Sequence, residues 1–403
     1  MRFLMVCMQF PTGEGQSYLT TELADALVSA GHTVEVLLLD WRAAPGVAPS
    51  SFTRRTGVRV VRCTPRMIGT ARSLAGKATK FICSGRHVAQ VAREHFDLAS
   101  FDVAITWMPA LAIAPLLPML EAAGVEHRLL FIWDFFPDHH HEIGRIPGGL
   151  PYYAAGAWER RLVRHFTAII CTLPGNADYL RRNYPLTPGQ QVLVTPIWTD
   201  ISPRPAVDLE RLRARHGLPA GRPIAVFGGQ LVAGRGFEQM LGAANAALAD
   251  GSPLLFLFVG DGPLAAVLRE RAAMQANIIY LPPLTREAYL DLLAACDVGM
   301  VATVPGVTSF SIPSKTVDYL RSGLPVVAAV EHGSDFIDIL QRYGVGRVVP
   351  FNDPVQFKRE AERQATDPDV RSQVRNAAPR CLEEVFDVRH AVATIMTAVG
   401  AEV

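Results

Sequence analysis

Short apolar runs alternate with longer amphipathic stretches from one end of the chain to the other. In the first half, the runs predicted as strands are residues 3–8, 34–39, 58–61, 103–107, 129–133, 168–171 and 192–194. In the second half, they are residues 224–227, 254–259, 278–281, 298–301, 325–330 and 346–349. Apolar strands separated by helix-length segments are typical of parallel sheets with helices on both faces. The pattern therefore predicts an α/β fold.

The length and the prolines divide this pattern into two Rossmann-like domains. A chain of 403 residues is too long for one core. Prolines without periodicity separate the two sets of strands, which indicates a linker. We predict a first domain over 1–197, a linker over 198–205, a second domain over 206–385, and a C-terminal helix over 386–403 that packs back toward the first domain. Ligands of two such facing sheets bind in the cleft, at the carboxyl ends of the strands.

Composition narrows the functional classes. A net charge of +1 with 19% charged residues does not favour a nucleic-acid partner. The six cysteines show no CxxC spacing, so we expect reduced thiols and a cytoplasmic protein. The apolar stretch 103–120 is interrupted by prolines and predicts a strand, a turn and a short helix rather than a membrane span.

The segment 311–330 holds the most informative candidate chemistry. Pro313 suits the first turn of a helix, where the Ser314 hydroxyl could cap free N–H groups. Lys315 and Asp318 are three residues apart and are predicted to share one face of that helix. A cation and a carboxylate at this place indicate a site for an anion and a ribose. The alternative is an ordinary crossover helix with a surface lysine and aspartate.

Two upstream turns could complete this site. Glycines at 228, 229, 234 and 236 surround Arg235 directly after a predicted strand, and they would let backbone N–H groups approach a diphosphate. A second turn contains Gly260 and Gly262. A third ends at Leu284 and could present backbone groups to a flat base. Since many α/β proteins use glycines in such turns, each turn alone is weak support.

In this order, the segments resemble the retaining, GT-B-fold glycosyltransferases of family four. The resemblance rests on Arg235-Gly236, on 260–264, and on Asp318 with the glycine-proline turn and strand at 323–328. The Pro313-Ser314-Lys315 form and the segment 132–138 are similar to a branch that acts on bacterial surface polysaccharides and uses amino-sugar donors.

The resemblance implies transfer of a sugar from a nucleoside-diphosphate donor, with UDP expected, to an acceptor hydroxyl on a lipid-linked or surface-glycan intermediate. It implies retained configuration, no cofactor and no required metal, since cations and helix N-termini can offset leaving-group charge. The candidate catalytic residues are Arg235, Lys315, Asp134 and His139. The candidate donor-binding residues are Gly13, Gly15, Gly229, Gln230, Arg235, Gly260, Gly262, Leu284, Ser309, Ser311, Ser314, Lys315 and Asp318.

Several of these roles have alternatives. Asp134 could orient the acceptor hydroxyl or cap a helix. His139 belongs to a run of three histidines that could order a sugar or lie in a solvated loop, and adjacent residues cannot all face one metal. The family often has Arg where this chain has Gln230, and Glu where it has Phe310. Neighbouring residues of the 308–311 segment could then recognise the donor sugar.

A basic stretch in the first half is relevant to whether the acceptor is linked to a membrane lipid. It contains Arg66, Arg72, Lys77, Lys80, Arg86 and Arg93. This surface could rest on anionic lipid headgroups, which would place the protein peripherally at the inner face of the cell membrane, or it could be a solvated helix face. Two alternative functions remain open at this point: a nucleotide-sugar 2-epimerase of the same fold, and a non-catalytic nucleotide-sugar-binding subunit.

Overall fold

The computed structural model describes residues 1–13, 16–69, 74–202, 208–307, 312–331 and 334–401. Over these ranges, the first sheet has eight strands in the spatial order β3-β4-β2-β1-β5-β6-β7-β8. The strands are β1 (Arg2–Cys7), β2 (Thr33–Leu39), β3 (Ser50–Thr53), β4 (Arg59–Cys63), β5 (Val103–Trp107), β6 (His127–Ile132), β7 (Ala168–Cys171) and β8 (Gln191–Val194). All pairings in this sheet are parallel except that of β3 with β4.

The second sheet has six strands over the same described ranges, in the order β11-β10-β9-β12-β13-β14. They are β9 (Ile224–Gly228), β10 (Leu255–Val259), β11 (Ile278–Leu281), β12 (Val298–Ala302), β13 (Val326–Ala329) and β14 (Gly346–Val348). All their pairings are parallel. The predicted fold, two Rossmann-like domains with parallel sheets, is confirmed.

Helices cover both faces of each sheet. Those before the second sheet are α1 (Leu19–Ser29), α2 (Leu74–His95), α3 (Leu117–Ala122), α4 (Asp138–Glu142), α5 (Leu150–Leu162) and α6 (Pro174–Asn183). The later ones are α7 (Leu209–Arg215), α8 (Phe237–Ala249), α9 (Ala265–Met274), α10 (Arg286–Ala294), α11 (Lys315–Arg321), α12 (Asp335–Tyr343), α13 (Pro354–Thr366), α14 (Pro368–Cys381) and α15 (Val388–Ala398). Among the described residues, none of these helices is long and apolar enough to cross a membrane.

Each sheet is buried on both faces, as continuous apolar strands require. Along β1, Leu4 packs in the core on one face and Met5 in the core on the other. Helix α15 adds Val392 and Ile395 to the second of these cores, so the end of the chain packs against the first sheet. The Gln191 side chain reinforces this contact by donating to the Ala398 carbonyl at 3.2 Å.

The chain passes between the two domains twice, near Thr199 and near Val388, and these two segments run side by side. The N–H of Thr199 donates to the Phe386 carbonyl at 2.7 Å, and the N–H of Val388 donates to the Thr199 carbonyl at 3.1 Å. Trp198 is buried in the first-domain core, and its indole N–H donates to the Leu19 carbonyl at 2.8 Å. The predicted linker therefore starts in packed structure, and its end at 203–205 lies outside the described residues.

Candidate active site

Two glycine turns pack against each other at the carboxyl edge of the second sheet. Gly229 follows β9, whereas Gly260 and Gly262 follow β10. The Leu231 N–H donates to the Asp261 carbonyl at 2.9 Å and joins the turns. A Cβ at Gly260 would overlap the Gly229 carbonyl, and one at Gly262 would overlap that of Leu231. These three predicted donor-binding positions thus lie where two backbones touch, which accounts for the glycines at 260 and 262.

The loop after β9 reaches across to the first domain. Gly234 has a φ of +85°, and a Cβ there would lie 2.7 Å from the Cβ of Ile143, at the end of α4. This approach places Arg235 in a hollow between the domains. His139 from α4 and Glu331, which follows β13, line the same hollow. The structure therefore brings together two of the predicted catalytic residues, Arg235 and His139.

Lys315 begins α11 beside this hollow. Its Nζ lies 4.1 Å from the centroid of the Phe227 ring. Burial and the neighbouring charge of Arg235 lower the pKa of Lys315 well below its usual value. Among the described residues, no carboxylate forms an ion pair with Lys315 or Arg235. Two adjacent cations without a carboxylate partner form a place suited to an anion.

The first domain contributes a carboxylate and an imidazole. Asp134 follows β6, and its Oδ1 lies 3.8 Å from the Nε2 of His139. The Asp134 side chain is about half-exposed, whereas His139 is buried. The alternative capping role of Asp134 is not what the structure shows, because α4 begins at Asp138 with Pro137 at its N-cap. Asp134 is thus free of a helix-capping bond and lies at the cleft edge.

Arg145 is a site residue that the sequence did not indicate. Its Nη2 lies 3.5 Å from the Oε1 of Gln230, to which it donates across the cleft. Burial and the charge of Arg235 lower the pKa of Arg145. The first domain therefore supplies a guanidinium at Gln230, the position where the family often has arginine. The two residues are far apart in the sequence, and no local pattern marks their pairing.

The predicted ribose carboxylate has a close partner of its own. Asp318 accepts from Arg286, with Oδ2 to Nη1 at 2.6 Å and Oδ1 to Nη2 at 2.5 Å. Lys315 instead faces Phe227, so the cation and the carboxylate, three residues apart on α11, have different neighbours. The pairing was missed because Arg286 begins α10, in a different part of the sequence. Each carboxylate oxygen keeps a second lone pair for a ligand hydroxyl.

The other predicted donor-binding residues lie in different parts of the structure. The Gly13 carbonyl accepts from the Gln16 N–H at 3.3 Å, and Leu284 packs at the edge of the second-domain core. Ser314 is the exposed N-cap of α11 without a side-chain capping bond, so the predicted hydroxyl cap is wrong. Its backbone φ of −55° is helical, whereas capping side chains usually project from extended backbone. Gly15, Thr308, Ser309, Phe310 and Ser311 lie outside the described residues.

The predicted basic stretch is only partly turned to solvent. Lys80 donates to the Trp41 carbonyl at 2.9 Å, and its Nζ lies 4.1 Å from the centroid of that indole ring. Arg66, Arg86 and Arg93 are exposed. Arg72 and the side chain of Lys77 lie outside the part of the chain that the structure describes. The surface therefore retains some positive charge.

The three adjacent histidines point to different neighbours. His139 faces the cleft, whereas the Nδ1 of His141 lies 2.9 Å from the Ile146 carbonyl oxygen. Burial lowers the pKa of His140. Within the part of the chain that the structure describes, no three histidine, cysteine or acidic side chains are grouped to hold a metal ion.

Two family models match the chain in succession. The model of the glycosyl transferase 4-like domain matches residues 14–198, and the model of glycosyl transferases group 1 matches residues 222–367. The chain belongs to the family-four glycosyltransferases. Members of the family share the two-domain architecture seen here, and the predicted family is confirmed.

Named relatives of this glycosyltransferase are distant. "Probable glycosyltransferase WbjE" of Pseudomonas aeruginosa is 30% identical over 141 residues, which are 34% of this chain and 35% of that protein. The chain thus matches about a third of that relative's length. WcaI of Escherichia coli, described as a colanic acid biosynthesis glycosyl transferase, is 25% identical over 332 residues, which are 77% of this chain and 79% of WcaI.

Solved structures share the fold over the full length. The sucrose-phosphate synthase of Thermosynechococcus elongatus superposes with a TM-score of 0.72 at 15% identity, over 99% of this chain and 98% of that one. Anabaena HepE, solved in complex with UDP and glucose, superposes with a TM-score of 0.69 at 14% identity, over 99% of each chain. At these identities, the likeness establishes the GT-B fold.

Proposed function

We propose that this glycosyltransferase moves a sugar from a UDP-sugar to a hydroxyl of a lipid-linked or surface-glycan acceptor, with retained configuration and without a metal requirement. The proposal rests mainly on the pair of cations, Arg235 and Lys315, which have no carboxylate partner among the described residues. They lie at the carboxyl edge of the second sheet, where open α/β sheets bind ligands. We place the reaction in the cytoplasm, at the inner face of the cell membrane.

The relatives support the choice of donor and acceptor class. HepE has been solved with UDP and with UDP-glucose, and WcaI is named for the synthesis of colanic acid. The glycine turns, the two cations and Asp318 occur here in the order in which the family uses them for a nucleotide sugar. In this proposal, the diphosphate binds at Arg235 and Lys315, whereas the ribose binds at Asp318.

The chemical step follows from this placement. The bond between the anomeric carbon and the diphosphate oxygen breaks, and the diphosphate keeps the electron pair. Arg235 and Lys315 stabilise the negative charge that develops on the departing oxygen. The acceptor hydroxyl attacks the anomeric carbon from the same face, and its proton passes to a leaving phosphate oxygen. Binding both substrates in the cleft supplies orientation, which is a large part of the rate.

Two further groups assist in this proposal. Arg145 donates to Gln230 and adds positive charge on the first-domain side of the cleft. Asp134 and His139, 3.8 Å apart, face the place where an acceptor would enter and would orient its hydroxyl.

A nucleotide screen tests the donor. Thermal unfolding is measured with UDP, GDP, ADP and CDP, because a ligand at about 100 times its dissociation constant stabilises a protein by roughly 2.7 kcal/mol. We expect UDP to give the largest shift. A clear preference for GDP would overturn the assignment of uridine, and the absence of any shift would contradict a nucleotide site.

Product analysis separates this proposal from its alternatives. Incubation with UDP-N-acetylglucosamine alone should release UDP slowly by hydrolysis and should leave the intact donor's sugar unchanged. A converted sugar nucleotide would indicate the 2-epimerase instead, whereas tight UDP binding without any turnover would indicate a non-catalytic subunit. Addition of EDTA should leave turnover unchanged, and a loss that Mg²⁺ restores would contradict metal independence.

A further inference from the structure

Helix α5 presents an apolar stripe to solvent. Leu150 is 81% exposed, Tyr153 is 67% exposed and Trp158 is 42% exposed. Ala154 and Ala157 lie between them and are also exposed. The spacing of these positions places them along one side of the helix. Several large apolar side chains on one exposed stripe are unusual for a surface without a partner.

The outward surface next to the stripe is positively charged. Arg161 near the end of α5 and Arg164 in the turn that follows the helix are both exposed. The nearby carboxylates of Asp138 and Glu159 are buried. Asp138 accepts from Tyr152, Tyr179 and Arg160 at 2.9, 3.0 and 3.3 Å, so its charge is used inside the domain. The exposed stripe thus combines aromatic and aliphatic side chains with two guanidinium groups for which the described part of the chain shows no ion pair.

The inner side of α5 is firmly attached to the first domain. The Glu159 carboxylate accepts from the N–H groups of Ala110 and Leu111 at 2.5 and 2.9 Å. The exposed side chains therefore belong to a fixed surface rather than to a helix that could turn them inward. The ring centroids of His141 and Tyr152 lie 4.6 Å apart, which connects the start of α5 to α4 and hence to the cleft.

We infer that the outer face of α5, formed by Leu150, Tyr153, Trp158 and Arg161 and extended by Arg164 in the turn that follows, docks on the surface of an anionic lipid bilayer. Tyrosine and tryptophan side chains partition to the membrane interface, and basic side chains beside them bind lipid phosphates. Charge favours a bilayer over a second copy of the chain, because a symmetric dimer on this face would bring like charges together. The inference extends the proposed function, since docking here would bring a lipid-linked acceptor to the cleft edge.

Vesicle sedimentation of the full-length protein tests the surface. We expect binding to phosphatidylcholine vesicles that contain phosphatidylglycerol, and much weaker binding to phosphatidylcholine alone. The double variant Tyr153→Ser, Trp158→Ser should bind the anionic vesicles at least about tenfold more weakly, because less apolar area leaves water. The matched control is Met274→Ser, which removes a side chain that is 79% exposed on the second domain. It should bind like the wild type.

Variants that remove positive charge test which basic residues contact the lipid bilayer. Arg161→Gln, Arg164→Gln should weaken binding by about fivefold per arginine. Arg86→Gln, Arg93→Gln tests the predicted basic stretch on α2, and Arg271→Gln is the control on the second domain. Unchanged thermal unfolding and an unchanged UDP-induced shift show that a variant is folded.

Three results would overturn the inference. They are absence of wild-type binding to anionic vesicles, a larger loss for the α2 pair than for the α5 pair, and a dimer in solution that the Tyr153 and Trp158 substitutions dissociate. A different result would contradict the proposed function while leaving this inference intact. If UDP does not stabilise the wild type while anionic vesicles still bind it through α5, the docking surface stands and the nucleotide site does not.

Discussion

At the residue scale, the site is defined by two cations, Arg235 and Lys315, that form no ion pair with a carboxylate among the described residues. Desolvation and the neighbouring charge of Arg235 lower the pKa of Lys315, so the charged form of this lysine is more costly there than in water. A diphosphate would offset both charges. This explains why two cations lie together, whereas other charged groups around the cleft, such as Arg286 and Asp318, are already paired.

The first prediction concerns Arg235. Arg235→Ala should lower kcat by roughly 100-fold or more, because one donor that stabilises the leaving group is lost. Initial rates of UDP release provide the measurement. Arg271→Ala, an exposed arginine on α9, is the matched control and should keep the wild-type rate. Near-normal turnover of the Arg235 variant would remove this residue from the mechanism.

The second prediction concerns the proton on Lys315. Since the pKa of Lys315 is lowered in the free protein, an arriving anion should raise it, and binding of UDP should take up protons. Calorimetric titrations at several pH values below 10.5, the usual pKa of lysine, in buffers of different ionisation enthalpy, measure this uptake. Lys315→Arg keeps a permanent positive charge and should abolish it. Equal uptake in the wild type and the variant would assign the proton to another group.

At the element scale, the sequence predicted the framework better than the site. Every predicted strand is present with ends within two residues, because buried parallel strands are continuous apolar runs. Strand β3 was missed, since Ser50–Thr53 is a polar edge strand with no such run. The pairings of Arg286 with Asp318 and of Arg145 with Gln230 could not be predicted, because they depend on how distant elements pack.

The third prediction concerns how α5 is attached. Burial raises the pKa of Glu159 from 4.5 to about 7, although two N–H groups donate to the carboxylate. Because the folded-state pKa is raised, stability is greatest when the group is protonated and falls as the pH rises toward 7. Between about pH 5 and pH 8, this group should lower the free energy of unfolding by about 2 kcal/mol.

Urea unfolding across that pH range checks the effect of Glu159. The Glu159→Gln variant cannot titrate, so its free energy of unfolding should decline less with pH than that of the wild type. The difference in pH dependence is independent of any constant loss of stability caused by the substitution. Identical pH dependence in both proteins would show that Glu159 ionises normally.

At the scale of the whole molecule, side chains from each domain hold the cleft together. Asp335 on α12 accepts from the Gly175 N–H on α6 at 2.9 Å. Near the crossing segment, Glu22 accepts from the Asp200 N–H at 3.2 Å, and Arg321 donates to Thr199 at 3.1 Å. These contacts position Arg145 and His139 opposite the second-domain cations. A ligand at the cleft would therefore contact both domains.

Calorimetric titration of UDP into the wild type and into the double variant Arg235→Ala, Lys315→Met tests the central claim most directly. The account predicts one UDP bound per chain in the wild type, and binding at least about 100-fold weaker in the double variant, because two charge-assisted contacts are lost. Arg271→Ala should bind UDP like the wild type. Wild-type affinity in the double variant would contradict the claim that these two cations hold the diphosphate.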